Sequence, residues 1–371
     1  MNATEDSVPN LGPAEDRTTE QARARFQDCA RSGFLRHAVP EEYGGFGTSY
    51  LRLTECHATL GEKTRDPGLI LALNAHLWGV VFPILRFGDD NQKQQWMPDL
   101  LSGEIIGGHA ITEPQAGSDV QAMQTSATET ADGFIINGHK RFITNTPIAD
   151  VMIVYAKVED SPSISGFIVK PDDPGASFND GPAVKGCATA AMGDIILSKC
   201  TLPKDRMLGA AGAGGTMIQL ALELERAFIF AGITGVMQWQ LAQIIKYSRT
   251  RVSGDGALSE LQDVAYKITG IKLRLDTSRL WIKKCAERMD QGKRITLESA
   301  QAKLYASEAF MQSSLDASHL LGAKGLENEF SDFVLDAMAG LLMSGSSEVQ
   351  KNIIASMLGI GPKKQTLKKS V

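Results

Sequence analysis

The hydrophobic and polar positions change their period twice along the chain. From Thr18 to about Gly107 the apolar residues recur at helical spacing. "TTEQARARFQDCARSG" opens on a Thr cap, runs through helix formers and stops at Gly33. "LRLTECHATLGEK" and "LILALNAHLWGVVFPILRFG" read as further helices. The second is apolar almost all round, which predicts a buried helix. "DNQKQQWMPDLLSGE" reads as a short capped helix ending at Gly103, and "VPEEYGGFGTSY" as a Pro/Gly loop.

Near Gly107 the pattern turns β-like. "GFIINGHKRFIT" holds two strand-like runs around Asn137 and Gly138, a strong hairpin signal. "DVMIVYAKV", "SGFIVKP" and "DIILSKCTL" are strand-like and separated by Pro, Gly and Asp. After the glycine-rich "GAAGAGG" the helical period returns and persists. "TMIQLALELERAFIFAGITGVMQWQLAQIIKYSRTR" reads as one very long helix, and three more helical runs follow. The expected fold is α+β. It comprises a disordered start over 1–17, a helical domain over 18–107, an antiparallel β domain over 108–210 and an antiparallel helix bundle over 211–371.

Composition narrows the function. A chain of 371 residues allows two or three packed units, and 43% hydrophobic with 22% charged residues is ordinary for a globular enzyme. The formal net charge of -5 argues against a bulk electrostatic grip on nucleic acid. Lys is concentrated only in the tail "KKQTLKKSV", read as a solvated end. Cys29, Cys56, Cys187, Cys200 and Cys285 are odd in number and widely spaced, with neither a metal-ligand pattern nor a disulfide framework. The polar, acidic start is unlike a signal peptide, and no apolar run reads as long enough to span a bilayer. A reducing cytoplasm is the expected setting, with no metal and no membrane.

Two polar strings carry the chemistry. "ITEPQAGSD" (111–119) sits where the β domain begins, and "NGHKRFITN" (137–145) follows it. Singly, each reads as a turn or a hairpin. Together they resemble the signature of the acyl-CoA dehydrogenase family, "TEPxAGSD" followed by "NGxKxWITN". "VPEEYGGFG", "FGDDNQKQQWMPDLLSGE", "LPKDRMLG", "LERAFIFAGITGV" and "GSSEVQKNIIA" agree in order and spacing. The resemblance extends from about Gly33 to Gly361, and the family's usual first helix is shortened or missing.

The resemblance implies FAD held between the β domain and the bundle of a homodimer or homotetramer. It also implies an acyl thioester on CoA or an acyl carrier protein, and an electron acceptor such as an electron-transfer flavoprotein. The backbone at Ile111 and Thr112 would face the isoalloxazine, with Thr144 near its reactive nitrogen. Ser118 would touch flavin phosphate or the substrate's thioester arm. Phe142 replaces the family's Trp, keeping an aromatic wall without the indole donor. In "YSRTRVSGDGALSELQ", Arg251 and Gln262 match "YxxxRxQFGxxxxxxQ", and Arg251 would pair with the pyrophosphate. The Gln-Phe-Gly step has become Ser253-Gly254-Asp255, which removes an aromatic from the adenine side. "HLLGAKG" keeps Gly322 and Gly325 of "QIHGGxG" but carries His319 for Gln and Ala323 for Gly. His319 is expected to be a packed or capping residue.

The family's chemistry needs a carboxylate over the substrate α-carbon in a dry site. Most members carry this Glu before the Gly of "YEGTSEIQ". Here the octet is "MSGSSEVQ", and Ser344 stands at the base position. A lone hydroxyl is too weak a base. Ser346 keeps a hydroxyl beside the flavin, Gly345 leaves room for substrate, and Glu348 has a structural role. Isovaleryl- and long-chain-type members hold the base before the Arg of "LERxxxA", which here is Glu225, followed by Arg226. Glu225 lines up with Ile229, Gly232 and Val236 on an apolar helical face, and Arg226 lines the same pocket. The alternative makes Glu225 half of a structural ion pair. The lost base, short N-terminus and altered nucleotide end look like the branch found in polyketide and peptide biosynthesis. Two other readings stay open: a flavin oxidase or monooxygenase on the same scaffold, and a catalytically lapsed flavin-binding protein.

Overall fold

In a computed structural model, which describes residues 7–9, 11–14, 18–158 and 163–361, Thr18 accepts the Gln21 N–H and starts α1 (Thr19–Arg31). Ser49 caps α2 (Tyr50–Thr64), and Asp66 caps α3 (Pro67–His76) by accepting the Leu69 N–H. A π-helical stretch, Leu77–Val81, continues α3 into α4 (Phe82–Phe87). Asp89 and Gln92 form a capping box for α5 (Asp90–Ser102), which ends at a left-handed Gly103.

Two expectations for this region are corrected. The run Pro67–Phe87 is in fact long and apolar enough to cross a membrane, but 89% of its apolar window is buried inside the protein. Its hydrophobicity therefore serves the core. Residues 7–9 and 11–14, expected to be disordered, are packed: Val8 joins the hydrophobic core, Ser7 Oγ meets His37 Nε2 at 2.7 Å, and the Gly12 carbonyl accepts from Arg25. Residues 1–6, 10 and 15–17 lie outside the described residues, as does the lysine-rich tail.

The β region comprises β1 (Gly107–Ala110), β2 (Ser126–Glu129), β3 (Gly133–Ile143), β4 (Val151–Val158), β5 (Ile164–Val169), β6 (Ala176–Asp180), β7 (Gly193–Pro203) and β8 (Met207–Leu208). Among the described residues they form one sheet in the order β6-β7-β3-β2-β4-β5-β8, with β1 beside β4. Most pairs are antiparallel, but β1 and β2 both run parallel to β4. The unbroken apolar run of β4 follows from burial on both faces: Ile153 and Tyr155 pack toward helices, Met152 and Val154 toward the rest of the sheet.

The hairpin expected at Asn137-Gly138 does not occur. β3 runs straight through, and the pair makes a bulge against β7 between Ile136 and Gly138. Asn137 Oδ1 accepts the Lys199 N–H, and a Cβ on Gly138 would lie 2.3 Å from Thr125 Oγ1. The turn is earlier, where Thr130 N donates to Gly133 O between β2 and β3.

The C-terminal helices are α6 (Gly214–Thr250), α7 (Gln262–Asp290), α8 (Thr296–Leu321), α9 (Asn328–Leu342) and α10 (Ser347–Met357). A Cβ on Gly61 would lie 1.9 Å from the Gly232 carbonyl oxygen, and one on Gly235 would lie 1.9 Å from that of Ala58. These glycines let α2 and α6 touch backbone to backbone. The gap at Gly232 therefore admits α2, and Ile70 of α3, rather than a ligand. The contact fixes α6 across the junction of all three regions, and Glu225 lies on that helix.

Candidate active site

Glu225 is buried, with two side chains at its carboxylate. Ser344 Oγ donates to Oε2 at 2.8 Å, and His109 Nε2 lies 3.0 Å from Oε1. The residue at the expected base position has therefore become a partner of the carboxylate on the long helix. Arg226, also buried, does not pair with Glu225: its Nε donates to the Ser344 carbonyl at 3.2 Å. Burial lowers the Arg226 pKa, and Glu223 and Glu225 oppose that shift.

The loop after α9 is built to present Ser344. Ser344 has a φ of 52°, a left-handed conformation that is strained for a residue with a side chain. Gln350 Nε2 donates to the carbonyls of Ser344 and Gly345 at 3.3 and 2.8 Å. The buried Lys303 donates to the Leu341 carbonyl at 3.0 Å. Burial and the Arg226 charge pull Lys303 down to about 8. Gly345 is also left-handed, and a Cβ there would lie 2.8 Å from Gln350 Nε2. Ser346, expected beside the flavin, caps α10 by accepting the Val349 N–H. Glu348 is exposed in the first turn of that helix.

The two signature strings meet at the ends of β1 and β3. Arg141 N donates to the Thr112 carbonyl at 2.9 Å, and Lys140 Nζ donates to the Ile111 carbonyl at 3.1 Å. Lys140 also pairs with Glu113 at 2.8 Å, with both side chains buried. Burial works against the Glu113 charge, but donors from the Gln124 N–H, Lys140 and Thr125 outweigh it and hold the carboxyl at about 2. The strings thus form one framework. Its open side carries Phe142, 48% exposed, with the Arg141 guanidinium 5.1 Å from its ring centre. Thr144 is half-buried and Ser118 exposed, and a Cβ on Gly117 would meet nothing within 4 Å. An open aromatic face, backbone groups at Ile111 and Thr112 and hydroxyl donors beside free space suit a planar ring with a phosphate tail.

The proposed nucleotide-end residues lie apart from this framework. Arg251 is exposed at the end of α6, and Gln262 Nε2 donates to the Tyr266 hydroxyl at the start of α7. Gly322 is exposed after α8. His319, expected to be packed or capping, has an exposed side chain in the last turn of α8. Sequence reasoning missed His109 and Tyr155. His109 lies two residues before the "ITEP" string, a position that spacing alone does not mark. Tyr155 is fully buried, its hydroxyl lacks a partner, and burial together with the Glu225 charge raises its pKa.

Residues 3–104, 108–200 and 212–359 match, in turn, the N-terminal, middle and C-terminal domains of acyl-CoA dehydrogenase. The chain belongs to the acyl-CoA dehydrogenase family. Its members are oxidoreductases acting on CH–CH groups, and the fold is theirs. The chain is 35% identical to an L-prolyl-[peptidyl-carrier protein] dehydrogenase of Pseudomonas fluorescens, over 89% of this chain and 88% of that one. It is 32% identical to the mitochondrial short-chain specific acyl-CoA dehydrogenase of Mus musculus, over 90% and 82%. Among solved structures, the prolyl acyl carrier protein oxidase AnaB superposes with a TM-score of 0.91 at 33% identity, covering 96% of this chain and 97% of that one. PigA with FAD and proline superposes with a TM-score of 0.89 at 30% identity, covering 96% of both chains.

Proposed function

We propose that this protein is an FAD-dependent dehydrogenase that desaturates the α,β-bond of an acyl thioester, with Glu225 as the base. The observation that carries this is the buried Glu225 carboxylate, gripped by the hydroxyl that stands where most of the family keeps its glutamate. Ser344 can orient a base but cannot replace one. Glu225, in a site closed to water, takes the α-proton. FAD, when bound, supplies the hydride acceptor for the β-hydrogen. Ile111, Thr112, Phe142 and Thr144 would border its ring system. Ser118, Arg251, Gln262 and Gly322 would take the remainder, and Ser346, whose hydroxyl meets Glu348, would lie beside the ring system. Ser118, Arg226, Ser344 and Gly345 border the space for substrate.

The substrate is an aminoacyl group of the prolyl type on a carrier protein. The prolyl-carrier relatives support this, matching along nearly their whole length. The protein works as a homodimer or homotetramer, with an electron acceptor such as an electron-transfer flavoprotein as its redox partner. Anaerobic mixing of the FAD-loaded protein with L-prolyl-carrier protein should bleach the flavin absorbance, with butyryl-CoA reacting far more slowly. If neither thioester bleaches it, the reading fails. Because one similar structure is called an oxidase, reoxidation should be followed as well. Slow reaction with O2 supports a dehydrogenase, and fast reaction an oxidase.

Moving the base gives a second test. Ser344 Oγ and Glu225 Oε2 are 2.8 Å apart, so the two side chains converge on one point. Glu225→Ala should abolish flavin reduction, and adding Ser344→Glu should restore it by at least about tenfold. Single-turnover rates for the two variants check this. No gain in the double variant would mean that the convergence has no catalytic meaning.

A further inference from the structure

The carboxylate has a second partner, and no family motif accounts for it. His109 Nε2 lies 3.0 Å from Glu225 Oε1, and the His109 side chain is 12% exposed. Its other ring nitrogen is buried without a hydrogen-bond partner. The ring is placed by backbone geometry. β1 holds His109 opposite Ile153 of β4, and the π-helical stretch passes behind it at Gly79. A Cβ on Gly79 would lie 3.0 Å from His109 Cγ and 2.9 Å from its backbone nitrogen. Glycine at that point lets the imidazole sit against the helix and reach the carboxylate.

Resting on the reading of Glu225 as the base, we infer that His109 is a positioning residue that keeps the Glu225 carboxylate aimed through the contact of its Nε2 with Oε1. A carboxylate held at one oxygen can rotate. Two contacts, the Ser344 hydroxyl donating to Oε2 and the His109 ring with Nε2 3.0 Å from Oε1, restrict that rotation. In the reaction the substrate α C–H bond breaks, its electron pair stays on carbon, and the proton forms a new O–H bond on Glu225. His109 and Ser344 keep their own protons throughout. A neighbouring N–H or O–H favours the charged form of a carboxylate, so its removal should narrow the pH range of the reaction from the acid side. The other charged or titratable groups near the carboxylate are Arg226 of the same helix and Tyr155 of β4. Arg226 is committed to the Ser344 carbonyl, and the raised pKa of Tyr155 keeps it neutral. His109 is therefore the group whose removal should alter the pH response most.

The test is the pH profile of anaerobic flavin reduction by L-prolyl-carrier protein in His109→Leu and His109→Gln. In the Leu variant the acid limb should move to higher pH, with reduction on that limb falling by up to about tenfold and the alkaline plateau largely kept. The Gln variant keeps a donor and should return most of the shift. An unmoved acid limb in His109→Leu would overturn the inference, as would equal losses at every pH in both variants. Should the Leu variant fail to fold or bind FAD, His109→Phe, a ring of similar size with no donor, takes its place. Glu225→Gln separates the two claims. If it reduces flavin at the wild-type rate, the base reading itself is wrong. If it is slow while the His109→Leu profile is unmoved, only the role of His109 is wrong.

Discussion

Glu225→Gln is expected to slow anaerobic reduction of the flavin by at least about 10²-fold, the low end of what a positioned general base contributes. The substitution suits the site because it preserves volume. The amide retains an oxygen and a nitrogen where the carboxylate had two oxygens, and the Ser344 hydroxyl can donate to one or accept from the other. Packing against α2 and α3 is unchanged, since Gly232, Gly235 and Ile70 make those contacts about two turns or more further along α6. FAD content and thermal stability should therefore stay near wild type while the rate collapses. A variant that loses FAD and rate together would point to a structural role. A variant that keeps its rate would remove Glu225 from the mechanism, and Ser344 could not take its place. Adding a second carboxylate by Ser344→Glu in the wild-type background should bring no gain, because two like charges would crowd one dry site.

Helices and their stops were readable because they depend on local signals. Thr18, Ser49, Asp66 and Asp89 each accept a backbone N–H at a helix start, as their residue types imply. Asn137-Gly138 misled because its turn preference is also local, whereas the structure is decided by Thr125 and Lys199, far along the chain. The short strands β1 and β6 are too brief to announce themselves: "GGHA" has no alternation and "ASFND" little more than one repeat, and both are set by their neighbours β4 and β7. The membrane-length run was a matter of context too, since buried core and lipid core demand the same side chains.

The candidate site divides in the same way. Glu225 could be found from its place before Arg226 in a long apolar helix. Its partners could not, because His109 and Ser344 are brought to it by a parallel strand pairing and by a left-handed turn. The gap at Gly232 was seen, but its use was not, since a missing side chain does not reveal which element fills the space.

The Lys140–Glu113 pair yields the largest expected effect on stability. Lys140→Ala leaves Glu113 buried without its cation, which should cost about 3–5 kcal/mol of unfolding free energy. Lys140 stands at about 8, pulled down by burial against the pull of Glu113, and is charged at neutral pH. Its loss also frees the Ile111 carbonyl, so FAD should dissociate more readily even in the fraction that folds. Removing both charges, as in Glu113→Leu with Lys140→Met, should recover only part of the stability, because no unpaired charge remains but the Gln124 and Thr125 donors lose their acceptor. It should not recover FAD affinity, because the donor to Ile111 stays absent. Chemical denaturation alongside FAD titration separates the two effects. The pair also predicts an acid limb. Glu113 stands at about 2 in the folded protein against an ordinary 4.5. Its contribution is therefore fully present above about pH 4.5 and disappears as pH falls toward about 2. In the double variant that part of the acid sensitivity should vanish. If acid destabilises both proteins equally over that window, Glu113 is not the group responsible, and the framework beneath the signature strings is held by other contacts.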